Sequence, residues 1–267
     1  VFTLLKKVLG IERGRLFPVA GAPLSDTVNE FLQSVNIPIV YGYGLSETTA
    51  TVCFYPEIGF QFGSIGEIMP GVEVKIDESN GEILVKGKTV TTGYYNKPEE
   101  NARSFTEDGF FRTGDAGRME GNILFFTERI KDLYKTSNGK YIAPQAIEIE
   151  MGSDKYIEQI AVIGDQRKFV SALIVPAYAL LEEYAEKKGI AYSSREELLV
   201  SNEIIRLIES HIEEHQKNMA SYEKIKRFTL LPQPFTMEGR ELTDTLKLRR
   251  PVVLQKYANE IEAMYAE

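Results

Sequence analysis

The stretch Asp108–Asn122, DGFFRTGDAGRMEGN, and Arg129–Pro144 beyond it, RIKDLYKTSNGKYIAP, decide how this chain is read. The first reads as strand, tight turn, strand. Asp108-Gly109 is a hairpin signal, and Gly114, Gly117 and Gly121 punctuate short apolar runs. The pattern predicts Asp115 at a glycine-flanked turn, where its carboxylate can accept hydrogen bonds from two adjacent hydroxyls, as on a ribose. One strand later (123–127) comes Arg129, a cationic fork in reach of the same nucleotide.

Upstream, strand and helix alternate. A short apolar strand over 15–20 ends at Gly21. Ser25 and Asp26 can cap a helix over 27–35 that places Val28, Phe31, Leu32 and Val35 on one face, and 37–41 is the next strand. This is a βαβ order, which implies a parallel pair. From Ser64 the pattern turns to alternation, with strands at 72–76 and 82–86 leading into the pair around Asp115. An antiparallel, barrel-like subdomain is expected there. Downstream, a hairpin flanks 135–140, Pro144 opens a helix, two strands (157–164 and 170–176) surround a turn at 165–169, and helices span 178–188 and 202–219. The predicted class is α/β and α+β, with the end of a βαβ subdomain and the barrel-like sheet in 1–129 and a small α+β domain in 130–267.

Composition narrows the function. With 43% hydrophobic and 26% charged residues over 267 positions, the chain can bury a real core. A net charge of −8 and the absence of a basic block argue against nucleic acid as a partner. The lone Cys53 excludes an internal disulfide framework. No apolar run approaches the ~18 residues of a membrane span, so no transmembrane segment is expected and peripheral membrane contact is left open. A reducing, cytoplasmic setting is the expectation. The chain opens at VFTLLKKVLG without an initiator Met, which leaves targeting signals undetermined.

Two patterns invite other chemistry. Gly81 to Thr89 approaches a phosphate loop but holds one residue too many, and its middle, EILVK, reads as a strand. His211-x-x-Glu214-His215 has inverted zinc-protease spacing, yet Ile204, Ile208 and Ile212 mark an ordinary amphipathic helix without a third ligand nearby. Tyr41–Thr49, YGYGLSETT, is more pointed. Gly42 and Gly44 lack the Cβ that would keep a flat ligand from the backbone. Ser46 can donate to a phosphate oxygen, and the carboxylate of Glu47 is the hard ligand that Mg²⁺ prefers.

Taken in order, VAGAPLS (19–25), YGYGLSETT, the segment around Asp115, RIKDLYKTSNGKYIAP and ELTDTLKLRRP (241–251) resemble the adenylate-forming acyl-CoA synthetase family. The wording DLYKTSNGKYIAP and TLKLRR is similar to its long-chain fatty acid branch. The resemblance implies an enzyme, an acid–thiol ligase that joins a fatty acid to coenzyme A through an acyl-adenylate, using ATP and Mg²⁺ and releasing AMP. It places Gly21 and Ala22 against adenine, Tyr41, Gly42, Tyr43 and Gly44 in the adenine and acyl pocket, Ser46 on the AMP phosphate and Glu47 on magnesium. Asp115 and Arg129 become ribose contacts, Lys131 a hinge, Asn138 and Gly139 contacts of the CoA arm, and Lys247 the catalytic lysine that neutralises charge between carboxylate and α-phosphate. Departures are Glu128 and Leu246, each standing where the family usually has Gly, and Ser137-Asn138-Gly139 in place of paired glycines. The family's Ser/Thr/Gly-rich triphosphate loop is not found before Gly21. The chain therefore resembles the C-terminal half of such an enzyme, expected to be inactive alone and to need the missing N-terminal portion. An enzyme acting on another acid, one loading a carrier protein, and a non-catalytic nucleotide-binding fragment all stay open.

Overall fold

The alternation read after Ser64 belongs to one large mixed sheet. The computed structural model describes residues 2–56 and 59–266. The chain divides into two compact units, Val1–Asp132 and Leu133–Glu267.

In the first unit, α1 (Phe2–Val8) precedes β1 (Phe17–Val19), α2 (Asp26–Ser34) and β2 (Ile39–Tyr43). β1 and β2 pair in parallel, as a βαβ order requires, with Val19 opposite Tyr41. Antiparallel strands follow: β3 (Cys53–Phe54), β4 (Gly66–Ile68), β5 (Val72–Ile76), β6 (Glu82–Gly87), then, after α3 (Pro98–Ser104), β7 (Phe111–Glu120) and β8 (Ile123–Arg129). Their order is β1-β2-β3-β4-β8-β7-β6-β5, so the barrel-like expectation resolves into an open sheet with β1 and β5 at its edges. Val52, Cys53, Tyr55, Ile83, Val85 and Leu124 form the core of the unit. The predicted face of α2 is only half used. Leu32 and Val35 pack inward, while Val28 and Phe31 are exposed and Asn29 is buried, donating to the Tyr55 hydroxyl at 3.3 Å.

The glycine-punctuated segment is a bulged strand rather than a turn between two strands. On β6 the step from Leu84 to Glu82 covers two residues, whereas its partners on β7 run from Arg112 to Ala116. Gly114, at φ +72°, supplies the left-handed kink, and its amide donates to the Glu82 carboxylate at 2.9 Å in place of a ladder bond. At Gly117 a Cβ would lie 2.4 Å from the Phe125 carbonyl oxygen, so only glycine lets β8 close on the bulge. Asp115 is thus one of the few buried residues of β7, beside Ala116 and Phe111.

In the second unit a short hairpin, β9 (Tyr134–Lys135) and β10 (Tyr141–Ile142), leads into α4 (Pro144–Met151). β11 (Ile157–Ile163) and β12 (Val170–Pro176) pair antiparallel, and α5 (Tyr178–Lys188), α6 (Arg195–Leu199) and α7 (Asn202–His215) follow. β13 (Ile225–Leu230) then joins β12 in parallel. Two helices close the chain, α8 (Arg250–Lys256), with Pro251 in its first turn, and α9 (Ala258–Tyr265). β12 is buried along its whole length because helices and neighbours cover both faces. Ile204, Ile208 and Ile212 of α7 face that core. The helix stops at His215, not Met219, and the side chain of its C-cap residue, Gln216, accepts the amide of Ile225 at 2.9 Å.

Candidate active site

Two predicted residues of the first unit converge on the carboxylate of a third, Asp115. Register places Asp115 directly opposite Arg129 on the antiparallel pair of β7 and β8. The guanidinium Nε lies 3.2 Å from Oδ1, an ion-pair distance but not a well-aimed hydrogen bond. The Tyr43 hydroxyl, brought in at the end of β2, donates to Oδ2 at 2.7 Å. Asp115 is only 2% exposed, whereas the Arg129 side chain is 58% exposed. Burial pushes the Asp115 carboxyl up, against the lowering pull of Tyr43 and then Arg129. Burial, reinforced by the charge of Asp115, also raises the Tyr43 phenol, so it remains a donor. Thr113 steadies the bulge, accepting the Asp115 amide at 3.1 Å and donating to the Ile83 carbonyl at 2.7 Å. A nearly buried carboxylate with incompletely satisfied oxygen, beside an exposed fork, is suited to a vicinal diol.

Glu128, which departs from the family's glycine, is fully buried and accepts the Arg129 amide at 3.0 Å. It fixes the backbone from which the arginine projects. Lys131 follows in a short 3₁₀ turn, Ile130–Asp132, and is exposed.

The segment around Gly21 hangs on Tyr41, whose hydroxyl accepts the Leu24 amide at 3.2 Å and donates to the Ala22 carbonyl at 3.4 Å. Gly21 has φ +83° with open space where a Cβ would sit. After β2 the chain reverses in a 3₁₀ turn, Ser46–Thr48, with Ser46 exposed and the Thr48 hydroxyl accepting the Leu45 amide at 2.9 Å. Gly44 makes that reversal feasible, since a Cβ there would stand 1.8 Å from the Ala50 carbonyl oxygen. Gly42 is less demanding, with its nearest neighbour at 3.3 Å.

Glu47 has a partner that sequence reasoning missed. The Tyr94 hydroxyl donates to its Oε1 at 2.8 Å. Burial first, and then Glu47, push that phenol up to about 12. Glu47 is part-exposed, and the described residues contain no cluster of three or more His, Cys, Asp or Glu able to cage a metal. A lone accessible carboxylate suits Mg²⁺ held mainly by phosphate oxygens and water. Only the doubled aromatics at Tyr94-Tyr95, after Gly93, hinted at this residue.

The remaining candidates lie in the second unit. Asn138 and Gly139 form an exposed turn, Gly139 at φ +78°, closed by the Gly139 amide donating to the Thr136 carbonyl at 2.8 Å. The Ser137 amide donates to the Arg167 carbonyl at 3.0 Å, tying the turn to the loop between β11 and β12. Lys247 is exposed on a loop closed by the bridge between Leu242 and Leu248. Its amide donates to the Thr243 hydroxyl at 3.0 Å. Two carboxylates tie the base of the loop: the buried Glu241 pairs with Lys256, and the part-buried Glu148 takes Arg250 with both oxygens at 2.8 Å. Leu246 sits at φ +59° and is 66% exposed, which explains why glycine suits this position. His211 and His215 both turn to the Asp154 carboxylate, at 2.7 and 3.1 Å, so the zinc-like spacing serves a hydrogen-bonded cluster.

Residues 5–95 match the AMP-binding enzyme family and residues 131–267 the AMP-binding enzyme C-terminal domain, and the chain belongs to this family. It is 34% identical, over 92% of its length, to the long-chain-fatty-acid–CoA ligase FadD15 of Mycobacterium bovis. It is 33% identical, again over 92%, to long-chain-fatty-acid–CoA ligase 1 of Schizosaccharomyces pombe. The chain spans only 41% and 39% of those proteins. Among solved structures, the adenylation domain of the carboxylic acid reductase of Segniliparus rugosus, in complex with AMP and a co-purified carboxylic acid, matches with a TM-score of 0.75 and 26% identity. That match covers 98% of this chain and 41% of the other. No helix among the described residues is long and apolar enough to cross a membrane.

Proposed function

We propose that this chain is the C-terminal portion of an AMP-forming long-chain fatty acid–CoA ligase. In this reading residues 1–129 complete the large adenylation domain and residues 130–267 are its small mobile domain. The observation that carries it is the carboxylate of Asp115, held by Tyr43 and faced by Arg129. Together with the long-chain ligase relatives, it favours a ribose site in an acyl-activating enzyme.

Each residue then has a task set by its chemistry. Asp115 accepts the ribose hydroxyls and Arg129 steadies the same sugar from solvent. Gly21 and Ala22, hung on Tyr41, present flat backbone to adenine, and Gly42 and Gly44 keep the approach open. Ser46 donates to the α-phosphate. Glu47 is the residue to hold Mg²⁺, whose chemistry is to neutralise phosphate charge. Lys247 adds positive charge where the carboxylate attacks the α-phosphate, an interaction strongest in the transition state. Lys131 is the hinge between half-reactions, and Asn138 and Gly139 line the path of the CoA thiol. The fatty acid, ATP and CoA are the small-molecule partners, the setting is cytoplasmic, and the N-terminal portion of the enzyme is required.

Acid-dependent ATP–pyrophosphate exchange by the full-length parent, across acyl chain lengths, tests this directly. Lys247→Ala should lower adenylation about a hundred- to a thousandfold while sparing thioester formation from supplied acyl-adenylate. Lys131→Pro, by fixing φ, should spare adenylation and slow the CoA step. Equal loss of both steps in both variants, at unchanged melting temperature, would overturn the domain-alternation reading.

A further inference from the structure

Glu47 is held from outside its own turn, by the segment that leads into α3. The Thr91 amide donates to the Glu47 carbonyl at 2.7 Å, and the Thr49 hydroxyl donates to the Thr89 carbonyl at 2.6 Å. These contacts wrap residues 89–91 around the turn. Three residues further on, the Tyr94 hydroxyl reaches the Glu47 carboxylate through Oε1.

Tyr94 is itself clamped. Asn101, on α3, accepts the Tyr94 amide with Oδ1 at 2.7 Å and donates from Nδ2 to the Tyr94 carbonyl at 3.0 Å. Pro98 opens that helix, and the Asn101 amide is engaged by the Lys97 carbonyl at 2.9 Å, so the clamp stands on fixed backbone. Gly93, at φ +141°, lets the chain turn beneath it. A Cβ there would lie 3.0 Å from Asn101 Oδ1.

The chemistry of the clamp matters. A lysine or arginine on Glu47 would fix its rotamer but cancel its charge. A neutral phenol donates one hydrogen bond, fixes the carboxylate and leaves its charge for a cation. We infer that Tyr94 and Asn101 are positioning residues for Glu47: the phenol locks the carboxylate through Oε1 so that Oε2 meets a divalent cation on the nucleotide phosphates, and Asn101 locks the phenol. This rests on the proposed role of Glu47.

The test uses Mn²⁺ as the probe and the full-length parent, measuring ATP affinity by calorimetry with and without the metal. The readout is the ratio of the two affinities. Tyr94→Phe should lower that ratio on the order of tenfold and leave metal-free AMP affinity within about twofold, since the ribose contacts are untouched. Asn101→Ala should act in the same direction, and it serves as the second variant if Tyr94→Phe does not fold. Glu47→Gln should abolish the ratio, and adding Tyr94→Phe to it should cost nothing more. If the parent shows no metal effect, or Glu47→Gln leaves that effect intact, the role of Glu47 falls and this inference with it. If Glu47→Gln collapses the ratio while Tyr94→Phe leaves it intact, or lowers it additively with Glu47→Gln, Glu47 keeps its role and the positioning role of Tyr94 is overturned.

Discussion

The Tyr43 hydroxyl donates to Asp115 Oδ2 at 2.7 Å across 72 residues of chain, joining the end of β2 to the bulge of β7. It ties the βαβ edge to the antiparallel strands at the point where a nucleotide sugar is proposed to bind. The carboxylate it holds is costly to keep ionised, because burial is the dominant influence and raises its proton affinity.

A trade-off between stability and binding follows. A carboxyl whose folded-state value lies above its unfolded one loses stability on ionising. That loss is present at neutral pH and disappears as pH falls below the ordinary value of 3.8. Asp115→Asn should therefore raise the melting temperature at pH 7, with the difference vanishing near pH 3.5 to 4. AMP affinity should fall by roughly ten- to a hundredfold, as for loss of a charged hydrogen-bond partner. Thermal melts across pH and AMP titration check both; a variant that melts lower at pH 7 refutes the burial argument.

Two glycines should respond differently to alanine. In Gly44→Ala the new Cβ would meet the Ala50 carbonyl at 1.8 Å, so the turn bearing Ser46 and Glu47 must open. A loss of about 1–3 kcal/mol is expected, as for overpacking, together with weaker nucleotide binding. Gly21→Ala meets open space and only the left-handed φ, so about 1–2 kcal/mol at most is at stake. Urea denaturation of the two variants ranks them, and a costlier Gly21→Ala would contradict the geometry.

Leu246→Gly should stabilise the chain. The leucine is two-thirds exposed, so little burial is lost, and its φ of +59° carries a strain of about 1–2 kcal/mol that glycine removes. Greater freedom of glycine in the unfolded chain offsets roughly 0.5–1 kcal/mol. A net gain of about 0.5–1 kcal/mol should appear as a higher urea midpoint; a lower midpoint would mean the loop draws on leucine contacts.

The histidine pair predicts an acid limit to stability. Burial raises the Asp154 carboxyl, but the Tyr156 amide and the two imidazoles outweigh it, and the net value lies below the ordinary 3.8. A depressed carboxyl contributes stability above its unfolded value and loses it as pH falls through the folded one. Asp154→Asn should therefore melt lower than the parent at pH 7, and the gap should narrow only below about pH 4. A gap that is constant down to pH 3 would show that the carboxylate charge is not what α7 relies on.

Periodicity and turn chemistry in the sequence determined most of the elements. The strands at 72–76, 82–87, 157–163 and 170–176 and the helix at 178–188 are legible because apolar spacing and glycine or proline boundaries are local properties. The family wording singled out Asp115, Arg129, Glu47 and Lys247 for the same reason, since each sits in an uninterrupted motif. Tertiary structure alone decided the rest. β13 hides behind Lys226 and Arg227, because an edge strand needs only a few inward residues. The bulge that replaces the predicted turn at Gly114 depends on Glu82, 32 residues away, supplying the missing acceptor. Tyr43 on Asp115, and Tyr94 with Asn101 on Glu47, are side-chain contacts between segments that no spacing rule connects. Hydrogen bonds of this kind are set by where strands and helices come to rest, and that is decided by burial of the whole core rather than by any stretch of sequence read alone.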